Sequence, residues 1–130
     1  MATKVLSAFV VAGLLFSASA ISSAWAQGLR AVRPLDGYVC KKLNITEREA
    51  MSANGGGVSI RTAPSASAPP AALAPSVLLA RSPLHVVSGF VEVLRLNGQP
   101  GWIEESRVKP FDPTERCVPS IMSNGRPGIG

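Results

Sequence analysis

Apolar and polar residues alternate along the segment from Phe90 to Leu96, where Glu92 and Arg95 interrupt a run of bulky apolar side chains. This period of roughly two residues predicts a β-strand with one buried face. The dipeptide Asn97-Gly98 follows and predicts a type I′ hairpin turn, which requires positive φ at both of its central positions. The short bulky stretch Gly101-Trp102-Ile103 then predicts the return strand.

Further short β-elements are predicted on both sides of this hairpin. Pro100 has no N–H to donate, so we expect it at an edge or at the bend before the return strand. Glu104-Glu105-Ser106 predicts a tight turn before a last short strand from Arg107 to Lys109, and Tyr38 to Leu43 is compatible with another strand. Several short strands at close spacing predict an all-β fold in the form of a small barrel.

The start of the chain has the features of a secretory signal peptide. Lys4 precedes an apolar run from Val5 to about Ala20, and Ala24-Trp25-Ala26 offers the small residues that signal peptidase needs. An uncleaved membrane anchor is the alternative, but the cleavage site favours removal, which leaves a mature chain that begins at Gln27 and does not span a membrane. The sequence therefore predicts an exported protein, periplasmic or secreted.

The chain divides into four predicted segments. These are the signal peptide (1–26), an N-terminal extension (27–54), a barrel segment (55–111) and a C-terminal tail (112–130). In the extension, Thr46 followed by Glu49 has the form of a capping box and is compatible with a short helix to about Ser52. The tail is rich in proline and glycine after Cys117, and we expect it to be irregular and flexible.

Both cysteines, Cys40 and Cys117, lie in the predicted mature chain. Export into an oxidising compartment makes a disulfide between them the expected state. Such a bond would join the N-terminal extension to the tail on either side of the barrel segment.

The residues that catalysis or metal binding would need are scarce. The only histidine, His85, lies inside the apolar run Leu84 to Val87, and the cysteines do not form a Cys-x-x-Cys motif. Glu104 and Glu105 are sequence neighbours, so their side chains diverge instead of forming a general acid-base pair. A single histidine gives no metal-ligand spacing. We therefore predict no enzyme activity, no catalytic residues, no metal and no cofactor.

Positive charge is in modest excess and is spread along the chain. The formal net charge of +5 falls by one when Lys4 leaves with the signal peptide, and Lys41-Lys42 is the only adjacent basic pair in the mature chain. This distribution is too weak to predict a nucleic-acid partner. It is compatible with an anionic envelope surface or with an ordinary solvated surface.

Three motifs resemble those of bacterial SH3-like (SH3b) domains. The stretch from Val58 to Ser65 resembles the opening "LNVRSGPS" of that family, and Gly89 to Val93 resembles its "GWxKV" strand. Gly101-Trp102-Ile103 with the residues to Val108 is similar to the family's "GWVhssYL" ending. The motifs occur in the family's order, and the resemblance covers Gly57 to Phe111.

The resemblance implies a small, partly open barrel in an exported protein that recognises cell-wall peptides or proteins. It also suggests ligand-site residues, each of which has a structural alternative. Trp102 is either a packing residue at the core edge or a platform for a ligand, and Phe90 is either a core residue or its neighbour at that site. Arg61 either braces Glu92 or Glu104 in an ion pair or binds a ligand carboxylate. The loop over residues 62–76 would border the groove.

Two functions from different classes follow. The first is a non-catalytic exported module that binds a peptide-like ligand, from peptidoglycan or from an envelope protein. The second is a structural or accessory subunit of an envelope protein complex that binds no small ligand. The same small barrel serves unrelated functions, so the fold alone does not separate them.

Overall fold

The structure is a computed structural model that describes residues 28–52 and 57–130. The predicted signal peptide (1–26) lies outside the described residues, as does Asn54-Gly55-Gly56 of the glycine-rich link. No helix within the described ranges combines the length and the apolar composition that are needed to cross a membrane.

The described chain forms two antiparallel sheets, and the prediction of an all-β fold is confirmed. The strands are β1 (Ala31–Pro34), β2 (Tyr38–Leu43), β3 (Ser59–Arg61), β4 (Pro70–Leu73), β5 (Val77–Arg81), β6 (Val86–Val87), β7 (Phe90–Leu94), β8 (Pro100–Glu104), β9 (Val108–Pro110), β10 (Pro119–Met122) and β11 (Pro127–Ile129). The larger sheet has the order β4-β3-β8-β7-β5-β2-β9, with β6 paired to β7, and the smaller has the order β1-β10-β11. The larger sheet is open because β4 and β9 form its two ends. Its SH3-like identity stays a prediction.

Strand β2, from the predicted N-terminal extension, pairs with β5 and β9 of the predicted barrel segment. The predicted helix is also present, as α1 (Glu47–Ala50), and Thr46 and Glu49 exchange both bonds of the capping box. The N–H of Thr46 and then the Arg107 guanidinium hold the pKa of the Glu49 carboxyl below its usual range. The helix is thereby tied to the short 3-10 turn Glu105–Arg107.

The hairpin between β7 and β8 is confirmed, but the predicted type I′ turn is wrong. Gly98 has a φ of +85°, whereas Asn97 keeps negative φ. The N–H of Gly98 donates to the carbonyl of Arg95, and the N–H of Arg95 donates to the carbonyl of Gln99. The result is a loop of three residues that needs positive φ only at its glycine. The side-chain oxygen of Asn97 accepts the N–H of Gln99 and fixes the loop.

The core lies on one face of the larger sheet. Alternating residues of its strands supply the buried cluster, which consists of Leu43, Ile60, Leu78, Ala80, Val91, Val93 and Ile103. Gly101 faces the same side opposite Val93, and a Cβ there would overlap the Ile60 side chain. The glycine of the Gly-Trp-Ile motif therefore allows β3 and β8 to approach each other closely.

Gly101→Ala should lower the free energy of unfolding by about 1 to 3 kcal/mol, because the buried Ile60 side chain has little freedom to move away. Gly128→Ala is the matched control, since its new methyl group meets the flexible side chain of Met122. Chemical unfolding of both variants measures the difference. Equal losses would contradict the close approach at Gly101.

The prediction of an irregular tail is wrong, because residues 119–129 form the hairpin of β10 and β11. Pro119 and Pro127 each occupy the first position of a strand, where a missing N–H is tolerated. Asn124-Gly125 forms the turn, with Gly125 at a φ of +81° and the Asn124 side chain accepting the N–H of Arg126. Pairing of β10 with β1 completes the smaller sheet.

The predicted disulfide between Cys40 and Cys117 is confirmed. It joins β2 of the larger sheet to the residues just before β10, with the two Cα atoms 6.3 Å apart. The N–H of Leu35, the residue after β1, donates to the carbonyl of Pro119 and extends the pairing of β1 with β10 inside the smaller sheet. The disulfide therefore fastens the smaller sheet to the larger one.

Candidate functional site

A row of five side chains crosses the face of the larger sheet that is opposite the core. Trp102 lies opposite both Arg61 and Glu92, and Tyr38 lies opposite Arg81. Arg81 in turn faces Glu92, to which it is ion-paired. Residues opposite each other on paired strands share a face. We call this set the outer row: Tyr38, Arg81, Glu92, Trp102 and Arg61.

Glu92 anchors the middle of the outer row. Its side chain is only 13% exposed, and the two carboxylate oxygens lie 3.1 Å from the Arg81 guanidinium and 3.1 Å from His85 Nδ1. The N–H of Glu92 donates to the carbonyl of His85. The side chain and the backbone of Glu92 therefore both hold the segment between β5 and β7 against the sheet.

Trp102 is partly exposed and lies outside the buried core cluster. The ring of His85 meets it edge-on, with 5.4 Å between ring centroids. Such an arrangement is favourable for aromatic rings. Trp102 therefore packs at the outer face of the sheet and keeps part of its surface accessible.

Arg61 does not form the predicted ion pair with Glu92 or Glu104. Its Nη1 instead donates to the carbonyl of Ala68 at 2.8 Å, within the loop over residues 62–76. The register explains this, because Trp102 stands between Arg61 and Glu92 in the outer row, and both oxygens of Glu92 already have partners. The other N–H groups of the Arg61 guanidinium have no partner among the described residues.

Phe90 is buried, with 7% of its surface exposed. It lies opposite Val87 and Glu104, near one end of the hairpin. Phe90 is therefore packed away from solvent, although it is not a member of the buried cluster on the core face, and its role at a ligand stays a prediction. Of the three predicted ligand-site residues, the structure places Trp102 and Arg61 side by side at the surface and Phe90 in the interior.

A second candidate surface is an apolar cleft of about 470 Å³ at the open seam of the larger sheet. Strands β4 and β5 follow each other in the chain but are not paired. Strand β7 pairs with β5 only at Leu79 and Ala80, so the start of β5 has no partner on that side. We call this opening the seam cleft; it is lined by Ile60, Ala71, Ala72, Leu73, Pro75, Ser76, Val77, Leu78, Leu79, Leu94, Arg95, Leu96, Asn97, Gly128 and Ile129.

The walls of the seam cleft are almost entirely apolar. Leu73 and Leu96 are 65% and 59% exposed, and Ile129 is 40% exposed. Arg95 is the one charged side chain among the described residues that line the cleft. An open apolar cleft with few polar groups is the usual form of a ligand site.

The sequence pointed to part of this cleft and missed the rest. Residues 71–76 belong to the loop that was predicted to border a groove, whereas Trp102 and Phe90 do not line the cleft. Leu96 lies in the hairpin loop and not in the predicted strand, and Gly128-Ile129 belongs to β11 and not to an irregular tail. Asn124-Gly125, the same turn signal as Asn97-Gly98, could have identified the second hairpin.

Among residues 28–52 and 57–130, no group of three or more histidine, cysteine, aspartate or glutamate side chains is placed to hold a metal ion. Cys40 and Cys117 are bonded to each other, so neither offers a thiolate. Comparison of the chain with protein-family models, curated proteins and solved structures finds no match.

Proposed function

We propose that this chain is a non-catalytic exported module that binds a peptide-like ligand of the cell envelope, either a cell-wall peptide or a segment of an envelope protein. The seam cleft carries this proposal, because it exposes Leu73, Leu96 and Ile129 around one opening of ligand size. Exposed apolar groups that are gathered in one concave site favour binding more strongly than the same groups scattered over a surface.

The disulfide and the outer row support the same proposal. A Cys40–Cys117 bond fits the oxidising compartment that the predicted signal peptide implies, periplasmic or extracellular. Trp102 and Arg61 adjoin each other at the surface, where an aromatic ring and a guanidinium suit a peptide with a carboxylate. The outer row is thus a second surface that a ligand could contact.

Sedimentation with purified sacculi and a pull-down from detergent-treated envelope, both with the oxidised mature chain, test this function. We expect Leu96→Glu to reduce binding at least about tenfold, since it places a charge against the ligand in an apolar cleft. Met51→Glu is the matched control, because Met51 is 85% exposed and does not line the cleft. Trp102→Ala separately tests the outer row.

Loss of binding in Leu96→Glu but not in Met51→Glu supports the seam cleft, and loss in Trp102→Ala alone moves the site to the outer row. If Leu96→Glu and Trp102→Ala both retain full binding, neither the seam cleft nor the outer row is the binding site. If the wild-type chain neither sediments with sacculi nor recovers an envelope protein, a binding module is excluded.

An accessory subunit without a small ligand is the second candidate. One observation favours it: β1 is an end strand of the smaller sheet, and Leu29 before it and Val32 within it are 62% and 55% exposed. This alternative predicts recovery of one stoichiometric protein partner, indifference to sacculi, and loss of that partner in Val32→Glu.

A further inference from the structure

We propose that the seam cleft receives an extended segment of a partner protein, which adds to β4 as an extra β-strand and places an acidic side chain against Arg95. This inference rests on the proposed function, that the cleft binds a peptide-like ligand, and specifies how the ligand binds and what it is.

The lining of the cleft shows that it runs along a strand edge. Ala71, Ala72 and Leu73 are consecutive residues of β4, and all three line the cleft. Successive side chains of a strand point to opposite faces, so an opening that touches three in a row must lie beside the backbone. Strand β4 is an end strand of the larger sheet, so this edge is not covered by another strand.

The pairing of β3 with β4 identifies the free hydrogen-bonding groups. The N–H of Ala74 donates to the carbonyl of Val58, and the register continues through Leu73 opposite Ser59. Hydrogen-bonded and non-hydrogen-bonded pairs alternate along an antiparallel ladder. The Ser59–Leu73 pair is therefore of the second kind, and the N–H and C=O of Leu73 point away from β3 into the seam.

An end strand of the smaller sheet also contributes to the lining of the cleft. Gly128 and Ile129 are consecutive residues of β11, an end strand of the smaller sheet. End strands of both sheets thus line the cleft. Pro70 and Pro75 flank the free part of β4, and prolines limit strand addition. The docked segment is therefore short.

The charge in the cleft indicates the chemistry of the partner. Nε of Arg95 donates to the carbonyl of Pro100 at 3.2 Å, and the other N–H groups of its guanidinium have no partner within the described part of the chain. A carboxylate on the incoming strand would complete these bonds. The net charge of the predicted mature chain, one unit below the +5 of the full sequence, also favours an acidic partner over a basic one.

A displayed library of random heptapeptides, selected on the oxidised mature protein, tests this inference. We expect the enriched peptides to be apolar, free of proline and to carry one aspartate or glutamate. Arg95→Glu should weaken their binding about tenfold or more and shift selection to lysine or arginine. Arg48→Glu makes the same change of charge on exposed α1 and should change neither result.

Amide hydrogen exchange with the best synthetic peptide then tests the strand. We expect at least about tenfold slower exchange at Leu73 and loss of binding when the peptide's backbone N–H groups are methylated. Peptide binding at the cleft without protection of Leu73 overturns strand addition but leaves the proposed function intact. Absence of any enriched peptide overturns the inference, as does self-association of the free protein through β4, which would make a second copy the occupant.

Discussion

Replacing both Cys40 and Cys117 with alanine should lower the free energy of unfolding by about 4 kcal/mol. The bond spans a sequence separation of 77, and the chain-entropy model gives about 4 to 5 kcal/mol for a loop of this size, less any residual structure in the unfolded chain. Alanine keeps the buried site of Cys40 apolar. Denaturant unfolding of the oxidised wild type, the reduced wild type and the double variant measures the effect.

The same variant should loosen the smaller sheet before the whole protein unfolds. The two sheets share no strand among the described residues, and the ion pair that joins Lys42 of β2 to Glu115, shortly before β10, is exposed. An exposed ion pair contributes 0 to about 1 kcal/mol. We expect amide exchange to accelerate more in β10 and β11 than in β7 and β8.

Binding should fall together with this loosening, because Gly128 and Ile129 form one wall of the seam cleft. Reduction of the wild type by a thiol provides the matched test without a substitution. Uniform acceleration of exchange in both sheets, or a loss of stability below about 1 kcal/mol, would show that the disulfide does not hold the smaller sheet in place.

Local sequence signals predicted the all-β class and the central hairpin. Alternation from Phe90 to Leu94 follows the pleat of a strand with one face in the core, and Asn97-Gly98 marks the loop. The turn type was wrong because Asn97 uses its side chain to bond Gln99 and retains negative φ. A dipeptide indicates a turn but does not determine how many residues the loop contains.

The proline and glycine content of the C-terminal segment hides its hairpin, because the positions of these residues, and not their number, decide whether strands can form. Proline and glycine are common after Cys117, yet both prolines begin strands and Gly125 supplies the one positive φ that the turn needs. Strand β10 also pairs with β1, which lies near the other end of the described sequence. Such long-range pairing leaves little trace in a local pattern.

The two candidate surfaces arise from register, which a single sequence does not reveal. The sequence is compatible with an ion pair between Arg61 and Glu92, but the strand order places Trp102 between them. The seam cleft combines β4, the loop after β7, and β11, which are distant in the chain. Only the loop over residues 62–76 could be expected beside a groove, and it was.

Phe90→Ala should lower the free energy of unfolding by about 3 to 5 kcal/mol, the usual loss for a buried phenylalanine. The position is informative because alternation places Phe90 on the outer face of β7, the face that carries Glu92. Phe90 is nevertheless only 7% exposed. Trp102→Ala should destabilise the protein less than a buried tryptophan would, since Trp102 keeps part of its surface exposed. Chemical unfolding of both variants, with Phe90→Leu as the conservative control, measures the contrast.

Binding assays on the same variants separate packing from recognition. If Phe90 acts only in packing, Phe90→Leu binds sacculi or peptide as the wild type does, and Phe90→Ala loses binding only in proportion to its unfolded fraction. A folded Phe90→Ala protein that fails to bind would instead give Phe90 a direct role at the ligand. Because Phe90 and Trp102 lie on neighbouring strands of one hairpin, the comparison tests whether this hairpin serves the ligand or only supports the sheet.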